Sequence, residues 1–67
     1  MNREEIKYLR TQMGLSQNDF AVKVGVKILT ISRWERGLSK PSPLANEKLK
    51  RLFHKVQGIN KPIDINE

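Results

Sequence analysis

Four glycines, at positions 14, 25, 37 and 58, divide the 67-residue chain into short segments. In the first four segments, apolar side chains recur every three or four residues, which is the spacing of a helix that buries one face. Glycine readily ends such a helix because it adopts a positive φ at little cost. The chain is therefore predicted to be all-α, a compact bundle of four or five short helices.

Polar residues stand where these helices are expected to begin. Asn2 and Glu5 have the spacing of a capping box, and Ser16 is a good N-cap for the second helix. Ser42 is expected to cap the fourth helix, with Pro43 at its first position, where proline fits.

The third helix is predicted from about Lys27 to Arg36, and Gly58 is expected to close the fourth. Residues 1–57 are then predicted to form the folded domain, and residues 58–67 a C-terminal tail. The alternation Ile63-Asp64-Ile65 hints at a short strand, although a frayed end is the preferred expectation for this tail.

The core is expected to be thin, because a domain of this size buries only about 60% of its unfolded surface. The sequence has no cysteine that could supply a disulfide or a thiolate metal site, so close helix packing, a partner, or both must stabilise it. The expected core residues are Ile6, Leu9, Met13, Phe20, Ala21, Val24, Ile31, Trp34, Ala45, Leu49, Leu52, Phe53 and Val56.

A formal net charge of +6 favours a polyanionic partner. Residues 27–40 and residues 43–57 each carry four cations and one carboxylate, a net charge of +3 apiece. No apolar run approaches the roughly 18 residues of a membrane span, and the polar N-terminus does not resemble a secretory signal. The expected location is the cytoplasm, with no membrane partner.

The stretch from Ser16 to Gly37 predicts two helices that cross steeply through a short turn. Such a motif needs a small residue where the helices meet and a glycine where the chain reverses, and Ala21 and Gly25 supply them. The apolar side chains that can close the wedge are Phe20, Val24, Val26, Ile31 and Trp34. The combination, on a basic chain, predicts a helix-turn-helix whose second helix enters the major groove of duplex DNA.

In this stretch the sequence resembles the phage Cro and repressor, or XRE-like, helix-turn-helix family. Leu15 to Ala21 is similar to the "LSQ…FA" opening of that family, Val24 to Val26 to its turn, and Thr30 to Gly37 to its recognition helix. Lys40 to Ser42 resembles the "kPs" that follows. The likeness covers about residues 6–52 without gaps and implies a lambda-repressor-like fold that binds DNA.

The resemblance also implies roles for individual residues. The positions that face bases in such proteins correspond here to Lys27, Ile28, Leu29, Ser32 and Arg33. The positions that bind phosphates correspond to Ser16, Gln17, Arg36 and Lys40. Arg10 and Glu35 occupy the positions of the family's internal salt bridge, which ties the first helix to the end of the third.

The residues themselves support part of this assignment. Ile31 and Trp34 are expected to point to the core, so Arg33 projects elsewhere and can present its planar guanidinium to O6 and N7 of a guanine. Gln17, in the first turn of its helix, can offer its amide to a phosphate. Either side chain can also be read as a solvated polar group.

Three positions depart from the family pattern. Lys27 stands where many members have Ser or Thr, so the third helix has a poor N-cap. Ile28 and Leu29 stand where polar readers are common. They could contact thymine methyl groups or form a protein interface, or one of them could turn inward.

Enzymatic interpretations find little support. His54 is the only histidine and has no neighbouring cluster of cysteines or carboxylates that could complete a metal site. The sequence has no nucleophile elbow and no phosphate-binding glycine loop. We therefore predict no enzyme, no catalytic residue, no metal and no cofactor.

The predicted function is that of a bacterial or phage transcriptional regulator, with a repressor favoured, that binds a pseudo-palindromic operator in double-stranded DNA as a homodimer. One alternative is an antitoxin that binds both DNA and a toxin. Another is a protein-interaction module that keeps the fold without groove binding, a role that Ile28 and Leu29 would suit. RNA binding is least favoured, because the sequence lacks interleaved exposed aromatics.

Overall fold

All four predicted helices are present in the computed structural model, which describes the backbone of residues 1–60 and the side chains of residues 1–57. They are α1 (Arg3–Gln12), α2 (Gln17–Val24), α3 (Ile28–Glu35) and α4 (Pro43–Asn60). The described part of the chain contains no strand and no fifth helix. The all-α prediction is confirmed, with four helices.

The predicted helix caps are also present. Asn2 Oδ1 accepts the Glu5 amide hydrogen at 2.8 Å, and Glu5 Oε1 accepts the Asn2 amide hydrogen at 3.0 Å, which completes the capping box. Ser16 Oγ and Ser42 Oγ each accept the backbone N–H three residues ahead, at 3.0 and 3.2 Å. Caps of this kind stabilise a helix by about 1 kcal/mol each, which matters in so small a domain.

The expectation that Gly58 closes α4 is wrong, because the helix runs through Gly58 to Asn60. Glycine permits a left-handed helix end but does not impose one, and in a helix interior it costs only about 1 kcal/mol relative to alanine. The division between residues 1–57 and 58–67 therefore does not coincide with a helix end. The alternation at Ile63 to Ile65 lies outside the described residues.

One hydrophobic core joins the four helices, and its centre agrees with the sequence prediction. The buried residues are Ile6, Leu9, Phe20, Ala21, Val24, Ile31, Trp34, Ala45 and Leu49. Met13, Leu52, Phe53 and Val56, also expected in the core, pack against its edge and are only partly buried.

Residues 25 to 27 form the turn between α2 and α3. Gly25 has φ 87°, a left-handed conformation that glycine adopts without strain. Its amide and that of Val26 both donate to the carbonyl of Ala21, at 2.8 and 2.9 Å, and this satisfies the end of α2. Ala21 is 2% exposed and belongs to the core that α2 and α3 share. The predicted helix-turn-helix geometry follows from these contacts.

The fourth helix braces this motif from behind. Leu49 and Ala45 insert into the core beside α2, and Leu49 is fully buried. Lys48 Nζ donates to the carbonyl of Val24 at 3.4 Å, which places a cation at the negative end of the α2 dipole. Because α4 packs against the end of α2, it does not cover the face of α3 that points away from the core.

Two leucines of α4 test this bracing role. Leu49→Ala should lower the free energy of unfolding by about 2–5 kcal/mol, since it leaves a cavity under the helix-turn-helix. Leu44→Ala, the same substitution at a side chain that is 72% exposed, should change it by less than about 0.5 kcal/mol. Urea unfolding followed by circular dichroism measures both, and equal losses would contradict the assigned packing of α4.

Candidate nucleic-acid interface

The third helix buries one face and exposes the other. Ile31 and Trp34 are 0% and 4% exposed and anchor α3 on the core. Because of the helical repeat, residues at i, i+3, i+4 and i+7 share the opposite face. These are Leu29, Ser32, Arg33 and Arg36. Four of the residues assigned to DNA therefore lie on one surface, which we call the outer face of α3; Leu29, Arg33 and Arg36 are exposed there and Ser32 is partly buried.

Two aliphatic side chains lie on or beside this face. Ile28 is 47% exposed and Leu29 is 51% exposed, so neither turns inward. The alternative in which one of them joins the core is excluded. About half of each side chain is left for contact with another molecule.

The first turn of α3 begins at Lys27, which is its N-cap. Lys27 has extended backbone angles and makes no side-chain hydrogen bond to the helix, so the poor N-cap expected from the sequence is confirmed. Among the described residues no side chain caps the amides of Ile28 and Leu29, so the positive end of the helix can take an acceptor from another molecule.

A bidentate ion pair lies at the C-terminal end of α3. Arg10 Nε and Nη2 donate to Glu35 Oε2 and Oε1, at 2.7 and 3.1 Å, and the two side chains are only 18% and 5% exposed. Arg10 Nη1 also donates to the carbonyl of Leu15, at 3.0 Å. One guanidinium therefore connects α1, the loop before α2, and the end of α3.

Gln17 has an internal contact that sequence reasoning did not anticipate. Its Nε2 donates to Glu35 Oε1 at 3.1 Å, so one amide hydrogen is already used. The second amide hydrogen and the backbone N–H at the start of α2 are the groups that can still face a phosphate. The contact also shows that the first turn of α2 lies beside the last turn of α3.

The other residues assigned to phosphates lie on exposed surface. Ser16 uses its oxygen as a cap but keeps its hydroxyl hydrogen for a further acceptor. Arg36 Nε donates to the carbonyl of Ser32 at 3.3 Å, and the residue is exposed. Lys40 is exposed in the segment that follows α3. Ser16 and Arg36 are the chain neighbours of Gln17 and Glu35, which contact each other, while Lys27 lies at the other end of α3.

The exposed charged side chains between Asp19 and Glu47 are all cations. Glu35 is the only acidic residue between Asp19 and Glu47, and its carboxylate is buried against Arg10. The cations of the same stretch are exposed; they are Lys23, Lys27, Arg33, Arg36 and Lys40. A surface whose single carboxylate is turned inward presents a positive potential to an approaching polyanion.

Two further cations contact the motif from outside it. Arg3 Nη1 donates to the carbonyl of Arg36 at 3.4 Å, and Lys48 reaches the end of α2. Sequence reasoning missed both because they are distant in the chain from the groups they contact, and no spacing rule signals such a meeting.

Other kinds of site find no support in the described residues. No group of three or more His, Cys, Asp or Glu side chains is placed to hold a metal ion there. Among the described helices, none is long and apolar enough to cross a membrane.

Two short helices, a three-residue turn and a cationic outer face define a helix-turn-helix protein of the DNA-binding class. The family model described as "Helix-turn-helix" matches residues 6–53, and the chain belongs to this family, whose members are XRE-type DNA-binding transcription regulators. Comparison with curated proteins and with solved structures gives no significant match.

The ion pair at the end of α3 can be tested by substitution. Arg10→Met should lower the free energy of unfolding by roughly 3 kcal/mol, because the buried Glu35 carboxylate loses two of its three hydrogen bonds. Arg36→Met, the same change at an exposed arginine, should cost less than about 1 kcal/mol. Denaturant unfolding gives both values.

A double-mutant cycle separates the pair from the two side chains. Combining Arg10→Met with Glu35→Gln should cost less than the sum of the single changes, with a coupling energy above about 1 kcal/mol. Additive losses would show that the two groups do not stabilise each other.

Proposed function

We propose that this protein is a transcriptional repressor that binds a pseudo-palindromic operator as a homodimer, with the outer face of α3 in the major groove. The observation that carries the proposal is the composition of that face. It combines two guanidiniums, a hydroxyl and a half-exposed leucine, with the half-exposed Ile28 beside it, and the one carboxylate of α3, that of Glu35, is buried against Arg10.

Arg33 is proposed as the main reader of a base. It lies near the middle of the outer face and is exposed, and its planar fork matches the two acceptors of guanine in the major groove. Ser32 and Lys27 are proposed as further polar contacts to base edges, on the flank and at the start of the helix.

Ile28 and Leu29 are proposed to contact thymine methyl groups. The methyl group is the apolar feature that the major groove offers, and burying an aliphatic side chain against it removes apolar surface from water on both partners. This accounts for two aliphatic side chains that would otherwise be left in solvent on a cationic surface.

Ser16, Gln17, Arg36 and Lys40 are proposed to bind phosphates. Gln17 and Arg36 lie at the same end of the motif, because the Gln17 amide reaches the last turn of α3. Contacts at this end would fix the angle at which α3 enters the groove, while the side chains of the outer face select the sequence.

The dimer is proposed because one outer face is small. A helix of eight residues is about 12 Å long and reaches only a few base pairs. Two copies related by a two-fold axis double the base contacts and match a palindrome with half-sites about one helical turn apart.

Selection of binding sites from a random duplex library tests the proposal. We expect an enriched palindrome whose half-sites lie about 10 base pairs apart, or a multiple of this. An enriched site without internal symmetry would reject the dimer. No enrichment would reject sequence reading, and would favour the protein-interaction module that the exposed Ile28 and Leu29 could also serve.

Arg33 in α3 and Arg36, the C-cap residue that follows this helix, distinguish base recognition from phosphate binding. Arg33→Ala should weaken binding to the selected site by roughly 1–3 kcal/mol and relax the preference at one base position. Arg36→Ala should weaken binding to all sequences about equally, and should lower the slope of log affinity against log salt by about one unit. Fluorescence anisotropy with matched and mismatched duplexes measures both effects.

Each of these variants loses one positive charge, so the comparison controls for net charge. If both variants weaken every sequence alike, Arg33 is not a base reader. A slope close to zero for the unmodified chain would remove groove binding altogether.

Removal of thymine methyl groups tests the aliphatic contacts. Replacing contacted thymines by uracil should weaken binding by roughly 1 kcal/mol per methyl group. The same replacement should have little further effect on a variant in which the contacting side chain is already Ala, either Ile28→Ala or Leu29→Ala. If uracil weakens the unmodified protein and both variants equally, the methyl groups are recognised elsewhere.

A further inference from the structure

Arg3 lies where sequence reasoning placed no functional residue. It is the first residue of α1 and precedes the stretch matched by the family model, residues 6–53. Its Nη1 donates to the carbonyl of Arg36 at 3.4 Å, so its guanidinium sits at the C-terminal end of α3. A cation is favoured there, because the last carbonyls of a helix carry partial negative charge.

Gly37 makes this position accessible to Arg3. A Cβ on Gly37 would stand 3.1 Å from Arg3 Cδ and 3.2 Å from Arg3 Nη1. Arg3 therefore lies in space that a side chain at position 37 would need. Gly37 also has φ 74°, so the same residue ends α3 and leaves room for Arg3.

The described residues use only two of the hydrogen-bond donors of Arg3. Of its five N–H donors, one goes to the Arg36 carbonyl and one, from Nε, to Glu4 at 3.5 Å. The Arg3 side chain is 57% exposed and that of Glu4 is 75% exposed. A surface pair of this kind contributes little to stability, so a phosphate could displace Glu4 from Arg3.

We propose that Arg3 binds a DNA phosphate together with Arg36, at the edge of the groove where α3 ends. The inference rests on the proposed function and extends it to a residue outside the helix-turn-helix. Two arginines meet at this helix end: the guanidinium of Arg3 donates to the backbone carbonyl of Arg36, and the side chain of Arg36 folds back to the carbonyl of Ser32 in the last turn. No carboxylate other than Glu4 contacts Arg3 among the described residues. Glu4 then acts as a competitor of the phosphate, and it weakens DNA binding through Arg3.

The experiment measures binding of the full chain to a mixed-sequence duplex across a range of salt concentrations, since a phosphate contact requires no particular sequence. Arg3→Gln should weaken binding at low salt by roughly tenfold per bound chain, and should lower the salt slope by about one unit per chain. Glu4→Gln should tighten binding several-fold. The double variant should behave like Arg3→Gln, because Glu4 acts only through Arg3.

Matched controls are available on α4, where Arg51 and Glu47 are exposed. Arg51→Gln and Glu47→Gln change the net charge by the same amounts, and should produce smaller effects that add in the double variant. Thermal melting of each variant shows whether the chain is folded at the assay temperature.

Three results would overturn the assignment. The first is an Arg3→Gln effect no larger than that of Arg51→Gln. The second is a Glu4→Gln gain that persists without Arg3. The third is a lower melting temperature for Arg3→Gln with an unchanged salt slope, which would make Arg3 a support of the helix end only. If the unmodified chain does not bind the duplex, the proposed function itself fails and the Arg3 assignment falls with it.

Discussion

The geometry of the helix-turn-helix depends on how the carboxylate of Glu35 is held. This group is almost fully buried and accepts two hydrogen bonds from Arg10 and one from Gln17. The donors come from α1 and α2, and the acceptor from the last turn of α3. Hydrophobic packing alone is non-directional, so it brings the helices together without fixing their mutual rotation as sharply as three directed hydrogen bonds do. Loss of Arg10 would leave a buried charge poorly compensated, which makes this orientation costly to change.

The same contact determines which charges the protein exposes around α3. With Glu35 turned inward, the stretch between Asp19 and Glu47 exposes cations and no carboxylate. Ile31 and Trp34 hold one face of α3 on the core, and α4 braces the motif from the side of α2. The outer face of α3 is therefore both rigidly supported and open. A groove-binding helix needs both properties, because the phosphate contacts can set its angle only if the helix does not move within its own fold.

Much of this architecture could be predicted from the sequence, since the deciding signals are local. The capping box at Asn2 and Glu5, the N-cap at Ser16 and the left-handed turn at Gly25 depend on residues within a few positions of one another. The prediction was wrong at Gly58, where a permissive residue was read as a helix end. The contacts made by Arg3, Gln17 and Lys48 could not be predicted, because each joins residues distant in the chain through a side-chain orientation that spacing does not determine. The contact between Arg10 and Glu35 was expected only from the family resemblance, because these two residues are also distant in the chain.

The most direct test of the account is a titration of isotope-labelled protein with the selected duplex, followed by amide chemical shifts in nuclear magnetic resonance spectra. We expect the largest changes in the outer face of α3 and in the first turn of α2, with small changes at Tyr8 and Lys50, which lie on α1 and α4. That pattern would show that DNA binds the cationic surface beside which the Glu35 carboxylate is buried. Large changes on α4 and Tyr8, with α3 unaffected, would contradict the central claim that α3 is the element that enters the groove.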